Sequence, residues 1–108
     1  MARDDLLAPL FNDACSKAKL ILRELLPHIP LLKTDAVFTP RLMRFMLERV
    51  EGKLTPIDRE AFANALDFLE LFAHRQLSAD VDQPRLLASR RDSLEALLSR
   101  VHAGTNSQ

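Results

Sequence analysis

An all-α, four-helix bundle-like single domain is the fold that this sequence predicts, with three long helices and one short helix. Its 108 residues include two glycines and neither Trp nor Tyr, while 47 % of them are hydrophobic. An all-β fold needs more turn glycines and more β-forming residues than this chain supplies. Apolar residues also recur every three or four positions over long stretches, which is the spacing of one face of a helix.

The first helix is predicted over residues 3–26, because apolar side chains recur there at alternating steps of three and four. Pro27 follows it, and a proline pushes the residue before it out of the α region. We expect residues 27–38, which are mostly apolar and include two prolines, to form an extended connection across the core. Their composition differs from that of a flexible linker.

Two further helices are predicted to begin with the same capping device. Thr39 and Thr55 each precede a proline, so a hydroxyl N-cap is followed by a proline at the first helical position. Asp58, three residues after Thr55, adds a capping-box-like arrangement. Gly52 is the predicted left-handed C-cap of the helix that begins after Thr39.

The single helical domain is predicted to cover residues 1–103. We expect Gly104 to close the last helix and residues 104–108 to form a disordered tail. The three helices that follow the extended connection are predicted over residues 40–51, 56–77 and 84–102.

The apolar arcs of two predicted helices are wider than the 100° or so of an ordinary surface helix. The helix over 56–77 has two adjacent apolar seams, and we expect Ile57, Phe68 and Phe72 to lie along the deeper one. The helix over 40–51 is similarly apolar. The two helices together have more apolar surface than a small monomer can bury, so a symmetric homodimer is predicted. Its predicted interface residues are Leu20, Leu42, Phe45 and Met46.

His74 is the candidate catalytic or metal-binding residue that the sequence brings forward. It shares the polar face of its predicted helix with Asp67 and Glu70, and a carboxylate beside an imidazole can tune a base or hold a metal. No metal-binding or catalytic motif accompanies this trio, so an ordinary solvated face is the favoured interpretation. Histidine phosphotransfer domains are helical bundles of similar size, but the run after His74 lacks the Lys and Gly of their motif.

Arg90 is the side chain that fits a solvated surface least well. It falls in the middle of the apolar stripe of the last helix, between Leu87 and Leu94. A guanidinium at this place must either extend past the apolar surface into water or pair with a buried carboxylate. Cys15 lies on the flank of the first helix, where a small packing residue is the expected role.

Charge and composition exclude several classes of function. The 15 basic residues balance 15 acidic ones, so no global charge attracts nucleic acid or an acidic membrane. One cysteine cannot form an internal disulfide or a Cys-based zinc site, and two glycines cannot form a Gly-rich phosphate loop. We therefore expect no enzyme activity, no metal and no cofactor.

The first residues include two acids where a signal peptide is basic, and the most apolar stretch, 20–32, contains charges and prolines. A cytoplasmic protein is therefore expected. Arg outnumbers Lys by 11 to 4, which weakly favours a bacterial source.

The function that this sequence predicts best is a non-enzymatic helical module for protein–protein interaction. A small bacterial adaptor, a regulator or a secretion-type chaperone would fit. The alternative is a DNA-binding transcriptional regulator, because residues 40–53 and the last helix each carry a local charge of +2. Nucleic-acid binding is the less expected of the two, and phosphotransfer through His74 is less expected still.

Overall fold

The computed structural model describes residues 2–27, 38–50 and 52–106, and these include four helices. The predicted all-helical, bundle-like fold with three long helices and one short helix is confirmed. Most of the predicted extended connection, residues 28–37, lies outside the described residues. The helices are α1 (Ala2–Leu25), α2 (Pro40–Leu47), α3 (Pro56–Ala73) and α4 (Gln83–Asn106).

The two predicted N-caps are present. The Leu42 N–H donates to Oγ1 of Thr39 over 3.1 Å, and the Asp58 N–H donates to Oγ1 of Thr55 over 3.2 Å. Each bond satisfies a backbone donor that has no partner inside the helix. The Asp58 carboxylate accepts a hydrogen bond from the guanidinium of Arg100 on α4. Asp58 therefore takes part in the cap at the start of α3 and also links α3 to α4.

The predicted ends of three helices are wrong. α2 ends at Leu47, although Gly52 adopts the predicted left-handed conformation at φ +77°. α3 ends at Ala73, because Arg75 enters the left-handed region at φ 55° and stops the helix before the predicted end at 77. α4 continues through Gly104, where a glycine lowers helix stability by about 1 kcal/mol without breaking the helix. The remainder of the predicted tail, 107–108, lies outside the described residues.

The directions of the helices follow from the contacts between them. Ion pairs join Asp13 to Arg91 and Glu24 to His102, so α1 and α4 run in parallel. The pair between Arg100 and Asp58, together with the contact of Arg90 with Phe68, makes α3 antiparallel to α4. α1 packs chiefly against α4, whereas α3 packs against α2 and α4. One side of α3 therefore faces away from the bundle.

Of the three residues expected along the deeper seam of α3, only Phe68 is buried in the core. Phe62, Leu66 and Leu69 are fully buried, whereas Phe72 is half-buried and Ile57 is 80 % exposed. Placing Ile57 in the deepest seam was wrong, because the apolar arc of α3 is too wide to locate its own centre. The fully buried large side chains are Ile21, Leu22, Met43, Leu47, Val50, Phe62, Leu66, Leu69, Leu87, Leu94 and Leu97.

None of the helices in the described part of the chain combines the length and the apolar character that crossing a bilayer needs.

Substitutions at Gly52 and Arg75, the two residues with a left-handed backbone conformation among those described, should change the free energy of unfolding in opposite directions. Gly52→Ala should lower the free energy of unfolding by about 1 kcal/mol, although the new methyl group meets nothing within 4 Å, because only the backbone is strained. Arg75→Gly should leave that free energy unchanged or raise it by up to about 1 kcal/mol. Urea melts followed by circular dichroism test both values. Ser99→Gly in the middle of α4 is the control, and it should destabilise by about 0.5–1 kcal/mol.

Candidate interaction surface

Four large apolar side chains of the described residues are exposed: Leu20 (43 %), Phe45 (59 %), Ile57 (80 %) and Leu71 (40 %). Two of them belong to the predicted interface. The other two predicted interface residues differ, because Met46 is buried in the core and Leu42 is half-buried against it. The surface that α2 offers to a partner is therefore smaller than its apolar arc suggested.

The side of α3 that faces away from the bundle carries the other two exposed side chains. Ile57 and Leu71 lie two heptads apart, and Asn64, also exposed, lies midway between them. Positions 57, 61, 64, 68 and 71 follow steps of four and three, which is the spacing of a helix that packs against another helix. We name this surface the α3 outer face; its residues are Ile57, Glu60, Ala61, Asn64 and Leu71. Phe68, at the edge of this face, is buried in the core.

A cleft of about 420 Å³ opens beside the α3 outer face, between α3 and α4. Arg90 lines it, with its guanidinium carbon 5.4 Å from the ring centroid of Phe68. The sequence did not predict this cation–π contact. The Nε atom of Arg90 is buried and has no hydrogen-bond partner.

The acidic residue that lines this cleft does not neutralise Arg90. Asp67 lines the same cleft, but it forms an ion pair with Arg44 of α2. The structure describes the side chains of residues 7–27, 38–50 and 52–104. None of the carboxylates among them forms an ion pair with Arg90. The cleft therefore presents a cation whose buried donor is unsatisfied, next to exposed apolar side chains.

Most of the other arginines of α4 have carboxylate partners. Arg85 pairs with Asp82, Arg91 with Asp92, and Arg100 with Asp58. These pairs occupy basic side chains that phosphate contacts would need. The charge distribution therefore does not favour the DNA-binding alternative.

A second cleft, of about 490 Å³, contains the residues that raised the question of catalysis. His74, Glu70 and Cys15 line it together with apolar side chains of α1 and α3. Asp67, which the sequence grouped with His74, pairs with Arg44 instead. Among the described residues, no group of three or more His, Cys, Asp and Glu side chains is placed to hold a metal ion.

Burial of the Cys15 side chain raises the pKa of its thiol from 9.0 to about 11. Only the thiolate attacks a disulfide reagent, so at pH 8 labelling of the folded protein should be about a hundredfold slower than labelling of the urea-unfolded chain. The folded state prefers the protonated thiol, so its stability should also fall as the pH rises from 9 through 11. Rates measured with a chromogenic aromatic disulfide test this, and equal rates in both states would contradict it.

Comparison with known proteins adds no relative: no protein-family model, no curated protein and no solved structure matches this chain. A functional interpretation therefore depends on the chemistry of its own surface.

Proposed function

We propose that this protein is a non-enzymatic helical module for protein–protein interaction, and that it binds its partner through the α3 outer face. The observation that carries the proposal is Arg90, whose buried Nε lacks a partner in the cleft that the exposed Leu71 also lines. Ile57 is exposed two heptads away on the same side of α3. The finer description, a small bacterial and cytoplasmic adaptor, regulator or secretion-type chaperone, is part of this proposal on sequence grounds.

The composition of this surface supports the proposal. Energetically important interface residues are enriched in arginine and aromatic side chains, with apolar contacts around them. Arg90 stacked on Phe68, with Ile57 and Leu71 on the same side of α3, has this composition. Scattered exposed leucines are ordinary, but here two exposed apolar side chains are aligned on one side of α3, and Leu71 lines a cleft with Arg90.

The chemistry of Arg90 also indicates what kind of partner group would bind. A buried donor without a hydrogen bond destabilises a protein by about 1–3 kcal/mol. A carboxylate entering the cleft would accept hydrogen bonds from the guanidinium and remove this penalty. The partner is therefore expected to present an acidic side chain next to an apolar one.

The experiment is site-specific photo-crosslinking with benzoylphenylalanine in cells that make the protein. With the probe at position 71, we expect a crosslinked product of one defined mass, which disappears when Arg90→Glu is added. The control places the probe at Ser99, an exposed residue of α4 that does not belong to the α3 outer face. Equal crosslinking at both positions, or none at position 71, would contradict the proposal.

A further inference from the structure

We propose that the cleft lined by His74, Glu70 and Cys15 binds a free α-amino acid with an apolar side chain. We name it the His74 cleft; it measures about 490 Å³ and lies where the middle of α1, the start of α2 and the end of α3 meet. Ligand sites in proteins are typically apolar clefts of about 300–1,000 Å³ with a few polar groups that orient the ligand. Its lining residues differ from those of the α3 outer face, so the inference goes beyond the proposed function and does not depend on it.

The walls of the His74 cleft supply the apolar part of such a site. Phe11 and Cys15 line it from α1, Phe38 from the chain just before α2, and Ala73 from the end of α3. The first three side chains are only partly buried, although each packs against the core. An apolar side chain that entered the cleft would bury their remaining surface together with its own, which favours binding.

The polar side chains of the His74 cleft include a cation and an anion that lack ion-pair partners. Arg41 and Glu70 both line it, and they also share a neighbouring cleft of about 450 Å³, so the two side chains lie near each other. None of the ion pairs among the described side chains includes either residue, so they are not paired with each other. Glu70 is half-buried, so its carboxylate has lost part of its water without gaining a cation.

An α-amino acid is the ligand whose charges match this arrangement. One carbon atom carries both its ammonium and its carboxylate, so the two groups can reach neighbouring side chains of opposite charge at once. The carboxylate would accept hydrogen bonds from the Arg41 guanidinium, and the ammonium would donate to the Glu70 carboxylate. The apolar side chain would then lie against Phe11 and Cys15. Because a peptide bond removes one of the two charges, a residue within a peptide lacks this match.

The helix ends at the His74 cleft have the same polarity as its side chains. α2 begins at Pro40, beside Arg41, and α3 ends at Ala73, one turn after Glu70. The start of a helix carries a partial positive charge and its end a partial negative charge. The backbone therefore favours the ligand's carboxylate near Arg41 and its ammonium near Glu70, as the side chains do.

The test is titration of isotope-labelled protein with L-phenylalanine, followed by NMR of the backbone amides. We expect a dissociation constant of about 1 mM or lower, with shifts in the signals of Arg41, Glu70 and His74. Two analogues are the matched controls, because phenylpropionate lacks the ammonium and phenethylamine lacks the carboxylate. Each should bind at least about tenfold more weakly than phenylalanine does.

Two substitutions test which side chain binds which group. Glu70→Gln should raise the dissociation constant of phenylalanine at least about tenfold, but it should leave that of phenylpropionate unchanged or lower it. Arg41→Gln should raise the constant of phenylalanine to a similar extent and leave that of phenethylamine unchanged or lower it. Glu60→Gln, an exposed acid of α3 outside the cleft, should change none of the three constants.

The absence of any shift at these three residues with about 10 mM phenylalanine or leucine would overturn the inference. Equal affinity of the wild type for phenylalanine and phenylpropionate would overturn it as well. That comparison needs no variant, so it decides the matter even if circular dichroism shows that Glu70→Gln or Arg41→Gln does not fold. Either result would leave the proposed role of the α3 outer face intact.

Discussion

Phe62→Ala is expected to remove a large part of the stability of the domain, lowering the free energy of unfolding by about 3–5 kcal/mol. The Phe62 side chain is fully buried on the side of α3 that faces the bundle. Truncating it removes the transfer energy of the ring and leaves a cavity that rigid helices fill only partly. Domains of this size have a total stability of only about 5–15 kcal/mol, so a substantial unfolded population should follow.

Urea melts measure this effect, at a protein concentration low enough that association does not contribute. Leu71→Ala is the control and should lower the free energy of unfolding by less than about 1 kcal/mol, because Leu71 is on the exposed side of the same helix. Phe72→Ala should lower the free energy of unfolding by an intermediate amount, because this half-buried ring contacts the ring of Phe11, with 5.2 Å between the two ring centroids. If Leu71→Ala were as damaging as Phe62→Ala, the rotation of α3 would be wrong, and the α3 outer face would be wrong with it.

Ile57→Glu is expected to abolish the crosslink from position 71 while leaving the chain folded. The side chain is 80 % exposed, so its replacement should change the free energy of unfolding by no more than about 0.5 kcal/mol. In a complex formed through the α3 outer face the partner would cover position 57, and a carboxylate there would lose its water without gaining a hydrogen bond. The effect should therefore appear in the yield of the crosslink and not in the melting curve.

Leu20→Glu and Phe45→Glu are matched controls, because both residues are exposed, apolar and outside α3. Neither substitution should weaken the crosslink from position 71. The interface predicted from the sequence contained both residues, and it remains the competing hypothesis. Loss of the crosslink in either control variant, with Ile57→Glu still crosslinked, would favour that interface over the α3 outer face.

Local chemistry was sufficient to predict where α2 and α3 begin. A threonine followed by a proline satisfies a free N–H and sets the backbone angle of the first helical residue without help from distant contacts. The ends of these helices were harder to predict. Nothing about Arg75 as a residue type indicates a left-handed conformation, and Gly104 tolerates a helical one where a glycine usually signals an end.

The candidate surface was only partly visible in the sequence. Leu20 and Phe45 were predicted as interface residues, and both are exposed. Ile57 was misplaced, because an apolar arc of about 200° lets the core lie under either of two adjacent seams. Arg90 attracted notice as a cation in an apolar stripe, but its contact with Phe68 depends on how α3 and α4 pack. Periodicity within one helix carries no information about that packing.

The most direct measurement of the central claim, that a partner covers the α3 outer face, is photo-crosslinking from both ends of that face. Ile57 and Leu71 are exposed on the same side of α3, so probes at positions 57 and 71 should each give a crosslinked product of the same mass. The control probe at the exposed Ser99 of α4 should give no such product. If neither position 57 nor position 71 crosslinks more than position 99 does, no partner binds the α3 outer face and the account of this surface is wrong.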